Sequence, residues 1–162
     1  GTYPLPEAQL DRFLMQINID YPEAAAEREV IIKTTGLARE MPKAALTSEE
    51  LAEAQRLVRR IPVGESVVDA ILALVRNGRP ESTENEMVRT YVGWGPGPRA
   101  SQALMLAARA RAMLTGRLAP SIDDIVLLAR PVLRHRMALG FAARAEGVTI
   151  DQVIDSLTEA LR

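Results

Sequence analysis

The run Gly95-Pro96-Gly97-Pro98-Arg99-Ala100 sets one arginine where a stiff glycine and proline loop opens into a stretch of small apolar residues, Ala103 to Leu114. A guanidinium beside the free N–H groups of a helix start is an arrangement that takes up phosphate. Pro98 suits the first helical position, because it has no N–H to leave unpaired and its φ is already helical. Gly95 and Gly97 admit dihedrals closed to other residues. The chemistry expected of the segment is anion recognition by Arg99. The plainer reading is a punctuated helix start with an ordinary surface ion pair.

Other polar residues read more simply. His135 lies between Arg134 and Arg136 with no carboxylate or thiolate at ligand spacing, so it is expected as a structural or interface histidine and no metal site is expected. Asp123 and Asp124 diverge on a helix and favour its first turn, which makes them capping residues. Trp94 is expected to anchor the glycine loop in the core in preference to stacking on adenine. Arg109 and Arg111 share the helix that Arg99 begins and read as a solvated, ion-paired face.

The elements that must position Arg99 are short helices. Pro22 starts one that runs through Glu23 to Lys33 and stops near Gly36. Thr47 and Glu50 form a capping box for the next, whose buried stripe is Leu51, Ala54, Val58 and Ile61 and which Pro62 ends. Another spans Glu65 to about Arg76, burying Val68, Ile71 and Val75 and closing at Asn77-Gly78. Met87 to Val92 reads as a short strand or an extended approach to the glycine loop. The helix from Pro98 to Thr115 offers Ala103, Leu106, Ala107, Ala110, Met113 and Leu114 on one face, and its alanines place it at the centre of a bundle. Ser121 with Asp124 caps the following helix, which turns Ile122, Ile125, Val126 and Ala129 inward until Pro131 bends or interrupts it. Met137 to Glu146 is a connector or part of a small hairpin. Thr149 with Gln152 caps a last helix carrying Ile150, Val153, Ile154, Leu157 and Leu161.

Composition narrows the function classes. A chain of 162 residues, 48% hydrophobic and 25% charged, can bury a sizeable core. Its net charge of −1 argues against a dedicated nucleic-acid surface. The absence of cysteine rules out disulfides and thiolate metal sites. No apolar run approaches a membrane span and no signal peptide opens the sequence, so a cytoplasmic protein is expected.

Near the start, Phe13, Met15, Ile17 and Ile19 alternate with Leu14, Gln16, Asn18 and Asp20 as a strand does, yet no later segment offers a partner of similar length. The segment Gly1 to Phe13, with its Leu-Pro-Glu-Ala-Gln-Leu-Asp-Arg-Phe core, resembles the one that follows the sensor 1 asparagine in MoxR-family AAA+ ATPases. Gly95 to Ser101, the helix after it, and Pro131-Val132-Leu133-Arg134-His135-Arg136 resemble that family's sensor 2 motif and lid. The similarity covers nearly the whole chain and implies a C-terminal piece of a longer protein. The implied fold is mainly α, an AAA+ C-terminal helical lid bundle over residues 21–162. Residues 1–20 would be the end of the α/β core, a short helix and an orphan strand.

The resemblance also implies roles. Arg12 matches the arginine finger, which reaches the γ-phosphate of ATP in a neighbouring subunit. Arg99 matches the sensor 2 arginine, with Gly97 and Pro98 beside it in the nucleotide-binding turn. Many relatives have Ser where this chain has Gly97. An insertion before sensor 2 in this group leaves open whether Arg99 acts in its own subunit or across the interface. ATP and Mg2+ are the cofactors implied for the intact protein. No Walker A loop and no Asp-Glu strand end occur in this sequence, so it is expected neither to hydrolyse nor to hold nucleotide by itself. The implied partners are copies of itself in a ring, a hexamer by family expectation, and client proteins, among them von Willebrand factor A-domain proteins. The implied function is chaperone-like remodelling, assembly or activation driven by ATP. The alternatives are a non-enzymatic helical interaction module and a helical nucleic-acid binder using Arg134, Arg136 and Arg144. Without its sheet, the segment Gly1 to Asp20 is expected to be mobile, rearranged or paired with another copy.

Overall fold

Helix-forming stretches and their caps set the architecture of the computed structural model, which describes residues 3, 5–36 and 42–161. In order they are α1 (Glu7–Leu10), α2 (Ala24–Thr35), α3 (Ser48–Arg60), α4 (Glu65–Asn77), α5 (Glu86–Tyr91), β1 (Val92–Trp94), α6 (Pro98–Leu114), α7 (Ile122–Leu133), β2 (Ala138–Leu139), α8 (Phe141–Glu146) and α9 (Ile150–Glu159). They fall into two compact units, one made of residues 1–16 with 56–162 and the other of residues 17–55.

The larger unit is built around α6, which packs against α4 and α7, while α9 closes over α7. Ala100, Leu104, Ala108 and Ala112 are all wholly buried. Their four-residue spacing forms one ridge, and small side chains along it let the neighbouring helices approach closely. The expected face is met at Ala103 and Ala107, which are buried, but the rest is rotated away: Leu106, Ala110 and Met113 are only half-buried and Leu114 is 82% exposed. Around this ridge Leu74 and Val75 from α4, Ile125, Ala129, Val132 and Leu133 from α7, and Val153 and Ile154 from α9 complete the core.

Capping residues behave as their chemistry dictates. The Asp124 carboxylate accepts from the Ser121 N–H at 2.8 Å and, in α9, Gln152 accepts from the Thr149 N–H at 2.8 Å. Met87 to Tyr91 is helical, against the expected strand, because Asn85 caps it by accepting from the Val88 N–H at 3.1 Å. Only Val92–Trp94 is extended, pairing antiparallel with Ala138–Leu139, with Val92 opposite Leu139 and Trp94 opposite Ala138. The segment expected as a connector or small hairpin is therefore neither: Ala138–Leu139 pairs with the distant β1, and Phe141–Glu146 is helical as α8, which periodicity did not reveal. Pro131 does not interrupt α7, which runs on to Leu133. The carbonyl deprived of its donor belongs to Leu127, an exposed residue where water can replace the lost bond.

Among the described residues, Phe13 to Ile19 form no strand ladder. A strand without a neighbour leaves its backbone groups unpaired. Here the Gln16 N–H donates instead to the Pro131 carbonyl at 2.8 Å.

In the smaller unit, α2 is exposed along its whole length and carries a Glu29–Lys33 ion pair at 2.8 Å. Thr47 and Glu50 form the expected box at the start of α3, with the Glu50 carboxylate accepting from the Thr47 N–H at 2.7 Å. That bond holds the Glu50 carboxyl below the usual range. The stripe expected to be buried on α3 is not: no residue of that helix is buried, and Leu51 is exposed. Periodicity shows which face of a helix is apolar, and a facing element is needed to cover it.

Candidate functional site

Arg12 stands in the turn that ends α1, where the Arg12 N–H donates to the Gln9 carbonyl at 3.1 Å and the side chain is exposed. Arg99 stands at the second position of α6, after Gly97 as N-cap and Pro98 at the first turn. The loop before it is pressed onto the end of α4. Pro96 is fully buried, and Arg79 Nε donates to its carbonyl at 3.0 Å. A Cβ added at Gly95 would lie 2.5 Å from the Gly78 carbonyl oxygen and 2.8 Å from Arg79 Cα, so only glycine fits there. The reason is close approach, not an unusual dihedral: Gly97 has φ −83°, and a Cβ there would meet nothing within 4 Å. Trp94 does not anchor this loop in the core, since it is 38% exposed; Pro96 does.

Asp11 joins the two ends. Its Oδ2 accepts from Arg99 Nη1 at 3.3 Å and its Oδ1 from Arg136 Nε at 3.2 Å. Arg136, 2% exposed, also donates to the backbone carbonyls of Asp11 (3.1 Å), Leu14 (3.2 Å) and Val132 (2.6 Å), and to that of Phe13. Burial pushes this guanidinium below its usual range, opposed by the Asp11 charge. A buried cation is tolerable only when its donors are met, and here five acceptors surround it.

The same contacts finish α7. Its last four carbonyls have no partners within the helix. The Arg130 carbonyl takes the Arg134 N–H, that of Pro131 takes the Gln16 N–H, that of Val132 takes Arg136 Nη1 and that of Leu133 takes the Arg136 N–H. His135 adds a bond from Nε2 to the Phe13 carbonyl at 3.2 Å. Since a carbonyl only accepts, Nε2 carries the proton. Burial pushes the His135 pKa down.

Arg12, Arg99 and Arg136 therefore line one shallow cavity of about 260 Å³ together with Asp11, Leu14 and Gln102. Asp11 is the one acid lining it, so positive charge exceeds negative, and the exposed Arg12 and Arg99 guanidiniums are suited to phosphate oxygens. The donor set suits an anion. Among the described residues no group of three or more His, Cys, Asp or Glu could hold a metal ion. Sequence reasoning brought out Arg12 and Arg99 but missed the pairing of Asp11 with Arg99 and Arg136, which lie 88 and 125 positions away from it.

Arg134, Arg136 and Arg144 form no common face for nucleic acid: Arg136 is buried and Arg134 pairs with Asp151 at 2.9 Å. Arg111 and Arg117 share the buried Asp124, at 3.0 and 2.6 Å.

Residues 84–157 match the family model of the AAA lid domain. Across 99% of its length the chain is 34% identical to Chaperone MoxR1 of Mycobacterium tuberculosis, and over 85% it is 32% identical to Protein MoxR of Paracoccus denitrificans. The chain carries the AAA lid domain and is similar over most of its length to MoxR proteins. A crystal structure of a candidate ATPase from Cytophaga hutchinsonii superimposes with a TM-score of 0.90 over 98% of the chain, at 30% identity. The expected fold, mainly α and of the AAA lid type, is thereby met. The chain spans 43% of the Mycobacterium relative, 44% of the Paracoccus one and 49% of the Cytophaga structure.

Proposed function

We propose that this chain is the lid and sensor 2 portion of a MoxR-type AAA+ ATPase that couples ATP binding and hydrolysis to chaperone-like remodelling, assembly or activation of partner proteins. The observation that carries the reading is the convergence of Arg12 and Arg99 on one cavity with a surplus of positive charge. In this reading Arg12 is the arginine finger, Arg99 is the sensor 2 arginine, and Gly97 and Pro98 present it. Such arginines offset the charge that builds on phosphate oxygens during transfer, an effect of about 10³ to 10⁵ in rate. ATP and magnesium would be held chiefly by residues outside this sequence. The assembly would be a cytoplasmic ring, with lid rotation as its output and von Willebrand factor A-domain proteins among its clients.

Because both arginines line one cavity, a phosphate reached by one is within the ambit of the other. If Arg12 acts across a subunit interface, Arg99 acts across it too.

The test is ATP turnover by the chain extended upstream to the length of its relatives. Arg12→Ala and Arg99→Ala should each lower turnover by about 10³-fold or more, leaving a small residual rate. Mixing either variant with a variant lacking the Walker lysine should restore part of the loss, because one subunit then supplies the intact nucleotide site and its neighbour the arginine. Restoration with Arg12→Ala alone would place Arg99 in its own subunit. Undiminished turnover after both substitutions would make the arginines structural, and no turnover in the wild type would favour the interaction-module reading.

A further inference from the structure

Arg99 and Arg12 are both mounted through a single carboxylate. Arg12 follows Asp11 directly in the chain, so its backbone position is set by whatever fixes Asp11. Asp11 is fixed on the lid by the buried Arg136, through Oδ1 and through the Asp11 carbonyl. Its other oxygen holds Arg99, whose side chain is half exposed and would otherwise sample many rotamers. A half-buried acid bridging a buried cation and an exposed one is poorly explained as a stabilising surface pair, because the exposed partner contributes little. It is well explained as a geometric constraint on that partner.

Resting on the nucleotide reading above, we propose that Asp11 is a positioning residue: clamped by Arg136, it fixes Arg99 relative to Arg12 so that both guanidiniums meet the same phosphate group. Asp11 touches no reacting atom in this role. It acts through Arg99, and Arg136 acts through Asp11.

Asp11→Asn retains the shape and an acceptor but removes the charge that orients Arg99. In the upstream-extended chain its kcat for ATP should fall by about 10²-fold, the scale of a small misplacement of a catalytic group, with KM little changed. Asp11→Glu should recover part of that loss. The decisive comparison is the double variant Asp11→Asn with Arg99→Ala, which should be no slower than Arg99→Ala alone, as expected for two residues acting as one unit. Circular dichroism melts of each variant separate a folding defect from a kinetic one. Wild-type turnover in Asp11→Asn, or a double variant whose losses multiply, overturns the positioning role and leaves the nucleotide reading standing. If instead Arg12→Ala and Arg99→Ala are both fully active, or the wild type has no turnover, the nucleotide reading falls and this proposal with it.

Discussion

Arg136 Nε stands 3.2 Å from Asp11 Oδ1, across 125 positions of sequence, and this pair joins the start of the chain to the end of α7. The guanidinium does what no other side chain there can do. It satisfies a carboxylate and four backbone carbonyls from one buried position. Removing it takes the donor from the carbonyls of Asp11, Leu14 and Val132 and leaves the Asp11 charge with only the half-exposed Arg99.

Arg136→Met should therefore destabilise the fold by about 3 kcal/mol, the usual cost of breaking a buried charge pair. Arg136→Lys should recover little, because an ammonium lacks the planar fork that spans these acceptors. Chemical denaturation with tryptophan fluorescence from Trp94 checks both.

The glycine loop should separate its two glycines sharply. Gly95→Ala drives a methyl group into the Gly78 and Arg79 backbone and should cost on the order of 2 kcal/mol. Gly97→Ser places a side chain in open space at an N-cap with an ordinary extended backbone, and should be neutral or stabilising by a few tenths of a kcal/mol. Thermal melts of the two variants test the contrast.

His135 links stability to pH. Its pKa is lowered in the fold by burial, and its Nδ1 is buried without a hydrogen-bond partner, so a second proton finds no acceptor there. The unfolded chain then binds more protons than the folded one, and stability falls as pH drops below about 6.5. His135→Gln should flatten that part of the profile. Nitrogen-15 shifts should show the Nε2-protonated neutral ring at pH 7.

Asp124 acts lower on the pH scale. Hydrogen bonds from Arg117, with further help from the Ser121 backbone, outweigh burial and bring its pKa from 3.8 to about 2. A depressed carboxylate stabilises above its unfolded value and loses that contribution as pH falls through its folded value. The loss expected between pH 4 and pH 2 is about 2 kcal/mol. Asp124→Asn should remove this acid limb and lower stability at neutral pH by a similar amount, measured by denaturant melts at several pH values.

The caps at Thr47, Ser121 and Thr149 were legible in the sequence because a capping box depends on residues three apart. So was the start of α6, where Pro98 takes the first helical position, although the need for Gly95 comes from the distant Gly78 and Arg79 backbone. Asn85 carried the same local signal for α5, but the reading of Met87 to Val92 as an extended approach to the glycine loop passed over it. The rotation of the buried face of α6 and the exposure of α3 could not be read locally, because burial depends on the element that packs opposite.

The site divides along the same line. The sequence by itself determined that Arg99 opens an alanine-rich helix, since cap chemistry acts over a few residues, whereas Arg12 was singled out by the family resemblance. The sequence also determined most of the helices, through their caps and the spacing of their apolar residues, while the lid arrangement was implied by the resemblance to the MoxR family. Only the tertiary structure decided that these two arginines line one cavity, that Asp11 lies between Arg99 and Arg136, and that Arg136 faces inward while its neighbour Arg134 pairs with Asp151. Those relations depend on which carbonyls of α7 lack donors and which distant backbone comes to supply or receive them. Hydrogen bonds between segments 120 positions apart leave no period in the sequence, and so they become visible only once the chain is folded.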